Sequence, residues 1–171
     1  MSVDNNTQTK GFIDFVEKIK SFCVFIETHQ SDNYRRFLEA TQKLLIELYS
    51  YGQTLPDFNL LADRDIVEVN ISDNDIRDIL SFTRDRLRDT FYWVVFDPTD
   101  HNDTASVCGD LVDDLGVVYK DLKTFLTGFE DADDDVRQNA LWHLKWSFDN
   151  HWNDHCMDAT YAIHYFLKHA D

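Results

Sequence analysis

The stretch LVDDLGVVYKDLKTFL, residues 111–126, determines the fold class predicted for this chain. Its apolar side chains recur at steps of three and four residues, which is the period of one face of an α-helix. The apolar positions are Leu111, Leu115, Val118, Leu122, Phe125 and Leu126. The pattern predicts an amphipathic helix from about 104 to 127, with Gly128 as its stop signal.

The same period occurs upstream, after a polar segment at residues 1–10 that is predicted to be a flexible tail. It predicts one helix over about 11–29. A second helix is predicted to begin after an N-cap at Ser31 and to end at Gly52.

A third helix is predicted to begin at Ser72, which with Asp75 resembles a capping box. It is predicted to run through Phe91. The apolar run FYWVVFDP, residues 91–98, is interpreted as the buried end of that helix followed by a turn.

Helical periodicity continues across residues 136–168, with a break or kink predicted near Asn150 and Asn153 because asparagine tolerates left-handed geometry. Residues 53–71 lack any period and are predicted to form one long irregular connection. A length of 171 residues favours one domain. The chain is therefore predicted to be an all-α, single-domain bundle of five or six helices.

The charge of the chain limits its partners. It carries 32 acidic and 16 basic residues, a formal net charge of −16. Such a field repels nucleic-acid backbones and anionic membrane surfaces, so neither is expected as a partner. A basic protein, a cation or a metal ion fits such a field better. The preferred interpretation is that the charge serves solubility, and a basic protein partner is the functional alternative.

The cysteines and the N-terminus predict a cytoplasmic protein. Cys23 and Cys156 lie in apolar helical contexts and Cys108 has no partner at metal-site spacing, so free thiols in a reducing compartment are expected. The N-terminal MSVDNNTQTK lacks the apolar core of a signal peptide. No stretch approaches the roughly 18 apolar residues of a membrane span.

Two stripes of opposite charge lie on the third and fourth predicted helices. One interpretation is an ion-pair ladder between these helices, and the alternative is an arginine cluster that binds a small anion. The basic stripe contains Arg77, Arg84 and Arg88, and the acidic stripe contains Asp110, Asp113, Asp114 and Asp121.

A candidate metal site lies near the C-terminus, where His151 and His155 are four residues apart and Asp158 is three further on. Histidine pairs at this spacing bind metal ions from one helix face, and Asp113 or Asp114 would complete the ligand set for a divalent transition metal. The sequence lacks the internal glutamate of zinc proteases. Histidines hydrogen-bonded at the edge of the core, with no cofactor, are therefore the preferred interpretation.

Acid–base chemistry at a histidine beside an aspartate, near Tyr119 or Tyr161, is a further alternative. The sequence has no nucleophile elbow and no phosphate-binding glycine loop, which argues against an enzyme. The tryptophans are predicted to pack in the core, with a partner-binding groove as the alternative. They are Trp93, Trp142, Trp146 and Trp152.

Three segments resemble a bacterial family of unknown function found in Bacteroides-type bacteria: YWVVFDP (92–98), GDLVDDLGVVYKDLKTFL (109–126) and WSFDNHWNDHCMDATYAIHYFL (146–167). The shared patterns are HW–H–DA, at His151, Trp152, His155, Asp158 and Ala159, and DDL–Y–DL, at Asp113, Asp114, Leu115, Tyr119, Asp121 and Leu122. The resemblance implies a small helical cytoplasmic protein and no particular activity.

The function expected from these observations is that of a non-enzymatic interaction or adaptor protein with a strongly acidic surface. A metal-binding or metal-dependent bundle is the first alternative. Binding of a small anion at the arginine stripe is the second.

Overall fold

The computed structural model describes residues 5–28, 33–61, 71–87, 90–95, 97–102, 104–131 and 133–169. Within these ranges the chain folds into six α-helices and one β-hairpin. The helices are α1 (Lys10–Thr28), α2 (Tyr34–Gly52), α3 (Asp73–Arg84), α4 (Leu111–Phe129), α5 (Asp134–Ser147) and α6 (Asn153–His169). The strands are β1 (Phe91–Val95) and β2 (Ser106–Asp110), and they pair antiparallel. The prediction of a helical bundle is confirmed.

Helix α4 lies at the centre of the bundle and packs against α1, α3, α5 and α6. Its predicted apolar face is buried, and Val118, Leu122 and Phe125 are fully enclosed. Apolar faces of α1, α2, α5 and α6 complete one continuous core with it. Burial of these side chains is the main favourable term in folding such a bundle.

The hairpin corrects the prediction for residues 85–110. Helix α3 ends at Arg84, so the predicted extension through Phe91 is wrong. Along β1, exposed Phe91 and Trp93 alternate with buried Tyr92, which is the two-residue period of a strand. The run is rich in aromatic and β-branched residues, which favour strands over a helix end.

Helix α4 begins at Leu111 and not near residue 104, because Asp110 caps it. The Asp110 carboxylate accepts a hydrogen bond from the backbone N–H of Val112 at 3.0 Å. An aspartate at this position satisfies an N–H group that has no partner within the helix. Asp110 is therefore the last residue of β2 and not part of a helical stripe.

Three smaller differences concern helix ends. The N-cap of α2 is Asn33, whose side chain accepts from Arg36 N–H, whereas Ser31 lies outside the described residues. Within the predicted tail, Asn5–Gln8 form a 3₁₀ turn and α1 begins at Lys10.

The break predicted near Asn150 and Asn153 is a π-helical turn, Phe148–Trp152, which joins α5 to α6 without an interruption. Residues 53–61 are non-helical after the turn that ends α2, as predicted for the start of the irregular connection. The part of this connection at 62–70 lies outside the described residues.

Candidate functional site

The aspartates of α4 are paired with histidines of α6. Nδ1 of His155 lies 2.9 Å from Oδ1 of Asp114, and Nδ1 of His151 lies 2.8 Å from Oδ2 of Asp121. Asp114 is buried, and only 12% of the Asp121 side chain is exposed. These contacts provide the compensation that clustered carboxylates require.

The buried carboxylate of Asp114 also bonds to the hairpin. Tyr92, on the inner face of β1, donates its hydroxyl to Oδ2 of Asp114 at 2.5 Å. One side chain of α4 thereby joins β1 to α6. We refer to Tyr92, Asp114 and His155 as the Asp114 network.

The electrostatics of the network favour a charged imidazole. The hydrogen bond to Asp114 raises the pKa of His155, against the opposing effect of burial, and the charges of Asp158 and Asp154 raise it further. Burial and then the charge of Asp114 raise the pKa of Asp158, and His155 offsets part of that increase. The site can therefore hold and exchange a proton.

Within the described residues, Arg77 and Arg84 do not form the predicted ladder. Arg77 and Arg84 are exposed on α3, and within the described ranges neither lies in an ion pair with the aspartates of α4. Arg88 lies outside the described residues. Burial and then the charge of Asp110 raise the pKa of Asp113, and Arg84 lowers it. Arg84 therefore acts on α4 through its charge near Asp113.

The predicted metal ligands do not come together as one set. His151 and His155 pair with two different carboxylates, and among the described residues no group of three or more His, Cys, Asp or Glu side chains could hold a metal ion. A single ion needs three or four protein ligands at about 2 Å. Metal binding by His151, His155, Asp158 and Asp113 or Asp114 stays a prediction, and the geometry gives it no support.

The tyrosine near the candidate acid–base pair, His155 and Asp114, is not one of the two predicted tyrosines. The tyrosine beside the aspartate is Tyr92, whereas Tyr119 donates to Glu27 at 2.8 Å and Tyr161 is exposed. Cys156, next to His155 in sequence, is buried and donates to the Leu45 carbonyl. Burial raises the pKa of the Cys156 thiol to about 12, so it remains protonated and unreactive at neutral pH.

The outer face of the hairpin is exposed and aromatic. Phe91 is 62% exposed and Trp93 is 67% exposed, and the register places them directly opposite Asp110 and Cys108. We call Phe91, Trp93 and Cys108 the hairpin face. Trp93 is therefore not a core residue, contrary to the prediction, because strand alternation directs it away from buried Tyr92.

The other tryptophans divide between core and surface. Trp152 is fully buried, as predicted. Trp142 is half-buried and stacks on Trp146, which is 47% exposed and so also differs from the prediction. The alternating pattern of FYWVV could have indicated an exposed Trp93, but nothing in the sequence separates Trp146 from a core residue.

A surface pocket of about 250 Å³ lies between the start of α1 and the end of α2. Its lining is apolar and aromatic apart from small hydroxyl groups, and Tyr51 is its one ionisable side chain. It therefore lacks the carboxylate, histidine and cysteine side chains that metal binding or catalysis by a pair of ionisable groups requires. The lining residues are Thr9, Gly11, Phe12, Phe15, Tyr51, Thr54, Leu55 and Pro56.

Comparison with known proteins supports the fold and adds no activity. The crystal structure of protein BF1032 from Bacteroides fragilis superposes with a TM-score of 0.77 at 20% identity, covering 94% of this chain and 97% of that chain. No match was found among curated proteins. None of the helices within the described ranges combines the length and apolarity of a membrane crossing.

The family model described as "Domain of unknown function (DUF5063)" matches residues 6–169. This match spans all six helices, the hairpin and the Asp114 network. The resemblance to a bacterial family of unknown function is thereby confirmed, and the chain belongs to the DUF5063 family.

Proposed function

We propose that this protein is a non-enzymatic binding protein whose acidic surface engages a basic protein partner. The observation that carries the proposal is that, in the described ranges, lysine and arginine side chains pair with every glutamate and leave many aspartates without a cation. Every glutamate of the described ranges lies in an ion pair with a lysine or arginine: Glu17, Glu27, Glu39, Glu47 and Glu130.

Many aspartates, in contrast, face solvent with no cation in ion-pair range among the described residues. They lie on loops and helix surfaces in several parts of the chain, and they include Asp57, Asp78, Asp85, Asp97, Asp100 and Asp154. Uncompensated charge of one sign attracts a partner of the opposite sign and accelerates the encounter. The excess negative charge of the chain is thus available to a partner.

The two alternative functions have less support. A metal-dependent activity would need ligands that converge, and His151 and His155 are each paired with a separate aspartate. An anion bound at Arg84 would lie near Asp113, whose carboxylate repels it.

The test is affinity capture by the immobilised protein from a lysate of its source organism, washed at 50 mM and at 500 mM NaCl. The proposal expects basic proteins that are retained at low salt and released at high salt. The matched variant replaces Asp57, Asp78, Asp85, Asp97, Asp100 and Asp154 with asparagine, removing six negative charges, and is expected to retain far less. If no salt-sensitive protein is captured by the native chain, the proposal is wrong.

A further inference from the structure

We infer that the basic partner docks on the hairpin face, and that it does so through an extended segment carrying arginine side chains. This inference rests on the proposed function and assigns that function to one surface. Three properties of the hairpin support it: exposed aromatic rings, carboxylates at both ends, and a fixed position on the bundle.

The aromatic rings of Phe91 and Trp93 are the first property. They are more exposed than any other large apolar side chain of the described residues, and they are two positions apart on one face of β1. Exposed aromatic groups of this size on one surface mark interaction sites. A guanidinium group stacks on the face of an indole ring, so Trp93 suits an arginine better than a lysine.

Carboxylates flank these rings at both ends of the hairpin. In the connecting loop, Oδ1 of Asp97 accepts from the N–H and hydroxyl of Thr99 at 2.8 and 2.7 Å, and Oδ1 of Asp100 accepts from Asn102. The bonds from Thr99 lower the pKa of Asp97, so it is charged and held in place. At the other end, Asp110 lies opposite Phe91 and Asp113 follows on α4.

The spacing of these groups fits an extended segment. A strand rises about 3.3 Å per residue, so the ends of β1, Phe91 and Val95, are roughly 13 Å apart. A bound segment of about four extended residues would cover that distance. Basic side chains at its ends would reach the carboxylates while one near its centre stacks on Trp93.

The hairpin is held on the bundle by its inner face. The hydroxyl of Tyr92 donates a hydrogen bond to Asp114. The ring of Tyr92 also covers Gly109, which is paired with Tyr92 across the hairpin, and a Cβ added at Gly109 would collide with that ring. A surface that is already fixed pays little ordering entropy on binding. A second copy of this chain is a poor occupant, since two chains of −16 repel each other.

The experiment follows the indole N–H signals of ¹⁵N-labelled protein by NMR, with nona-arginine peptide added at 150 mM NaCl. Trp93 is expected to shift saturably, while Trp146, also exposed but on α5, is expected not to shift. The double variant Phe91→Ser/Trp93→Ser is expected to bind nona-arginine about tenfold more weakly or worse, as for loss of an interface anchor. The matched variant Trp146→Ser is expected to bind like the native protein.

The charged ends are tested in the same titration. Asp97→Asn/Asp100→Asn is expected to weaken binding, and Glu39→Gln, on α2 and already paired with Arg35, is expected to leave it unchanged. Far-UV circular dichroism confirms that each variant is folded. Equal shifts at Trp93 and Trp146, or native affinity in the double variant, would overturn docking on the hairpin face and leave the proposed function standing. If the native protein does not bind nona-arginine even at 50 mM NaCl, docking of an arginine segment on the hairpin face is wrong, and the affinity capture decides the proposed function separately.

Discussion

Asp114 joins three elements through one carboxylate. It lies on α4, accepts a hydrogen bond from Tyr92 of β1, and pairs with His155 of α6. Because it is buried, each of these partners compensates for hydration that the carboxylate loses on folding. Loss of either partner should therefore cost more than loss of an exposed contact.

The first prediction is that Tyr92→Phe destabilises the protein by about 1–3 kcal/mol, because Oδ2 of buried Asp114 loses its donor while the ring still packs. Urea denaturation measures the free energy of unfolding. Tyr161→Phe, which removes the hydroxyl of an exposed tyrosine, should change that free energy by no more than about 0.5 kcal/mol. Equal effects of the two substitutions would show that the Tyr92 bond contributes nothing.

The second prediction concerns the pKa of His155, measured from the imidazole Cε1–H signal by NMR. In the native protein the pKa should lie above the usual value of about 6.5, because of the bond to Asp114. In Asp114→Asn the pKa of His155 should fall, since burial then lowers it against only the charges of Asp158 and Asp154. Asp57→Asn, which removes an exposed carboxylate in the connection after α2, should leave it unchanged.

Asp114→Asn should also alter the pH dependence of the free energy of unfolding. A raised folded-state pKa stabilises the native protein fully below about pH 6.5, and the contribution is lost as pH rises through the folded-state value. Native protein should therefore lose more stability between pH 6.5 and 9 than Asp114→Asn does. Parallel stability profiles would contradict the pairing of His155 with Asp114.

At the scale of elements, the end of α2 packs tightly against the π turn. Gly52 is buried, and a Cβ added there would collide with the ring of Phe148. Its φ is not positive, so close packing and not backbone conformation requires glycine at this position. The contact fixes where the π turn, and hence His151 and His155, lie relative to the bundle.

The third prediction is that Gly52→Ala destabilises the protein by about 1–3 kcal/mol through overpacking. Gly11→Ala is the matched control, since no atom lies within 4 Å of the added Cβ in α1. Alanine has the higher helix propensity, so this variant should be unchanged or stabilised by up to about 1 kcal/mol. Thermal unfolding of both variants measures the difference. Equal stability of Gly52→Ala and native protein would mean that Phe148 moves aside without cost.

For the whole molecule, the net charge of −16 acts on stability as well as on binding. Repulsion among exposed carboxylates opposes the compact state, and salt shortens its range from about 30 Å at 10 mM to about 8 Å at 150 mM. The fourth prediction is that the Tm rises across this range of NaCl concentration. The variant with six aspartates replaced by asparagine should show a smaller rise, and a Tm that falls with salt would contradict the explanation.

The sequence predicted well what depends on neighbours along the chain. The three- and four-residue period of α1, α2 and α4 reports burial of one helix face, and residues such as Ile19, Leu45 and Leu122 are fully buried as that period requires. The candidate residues His151 and His155 were likewise found from local spacing. The acidic stripe containing Asp114 and Asp121 is also visible in the sequence, where one interpretation pairs it with arginines of α3 and another places Asp113 or Asp114 beside the two histidines.

Residue type and short spacing predict the helical class, the core-facing side of the main helices and the excess of negative charge, because each of these is a property of neighbouring residues in the chain. Contacts between distant elements decided between the alternatives: Asp114 and Asp121 bond to histidines of α6 and not to arginines of α3, and β1 pairs with β2. It also decided that Trp93 is exposed while Tyr92 is enclosed. These outcomes depend on which elements meet in space, and burial over the whole bundle selects those contacts, which no local pattern encodes.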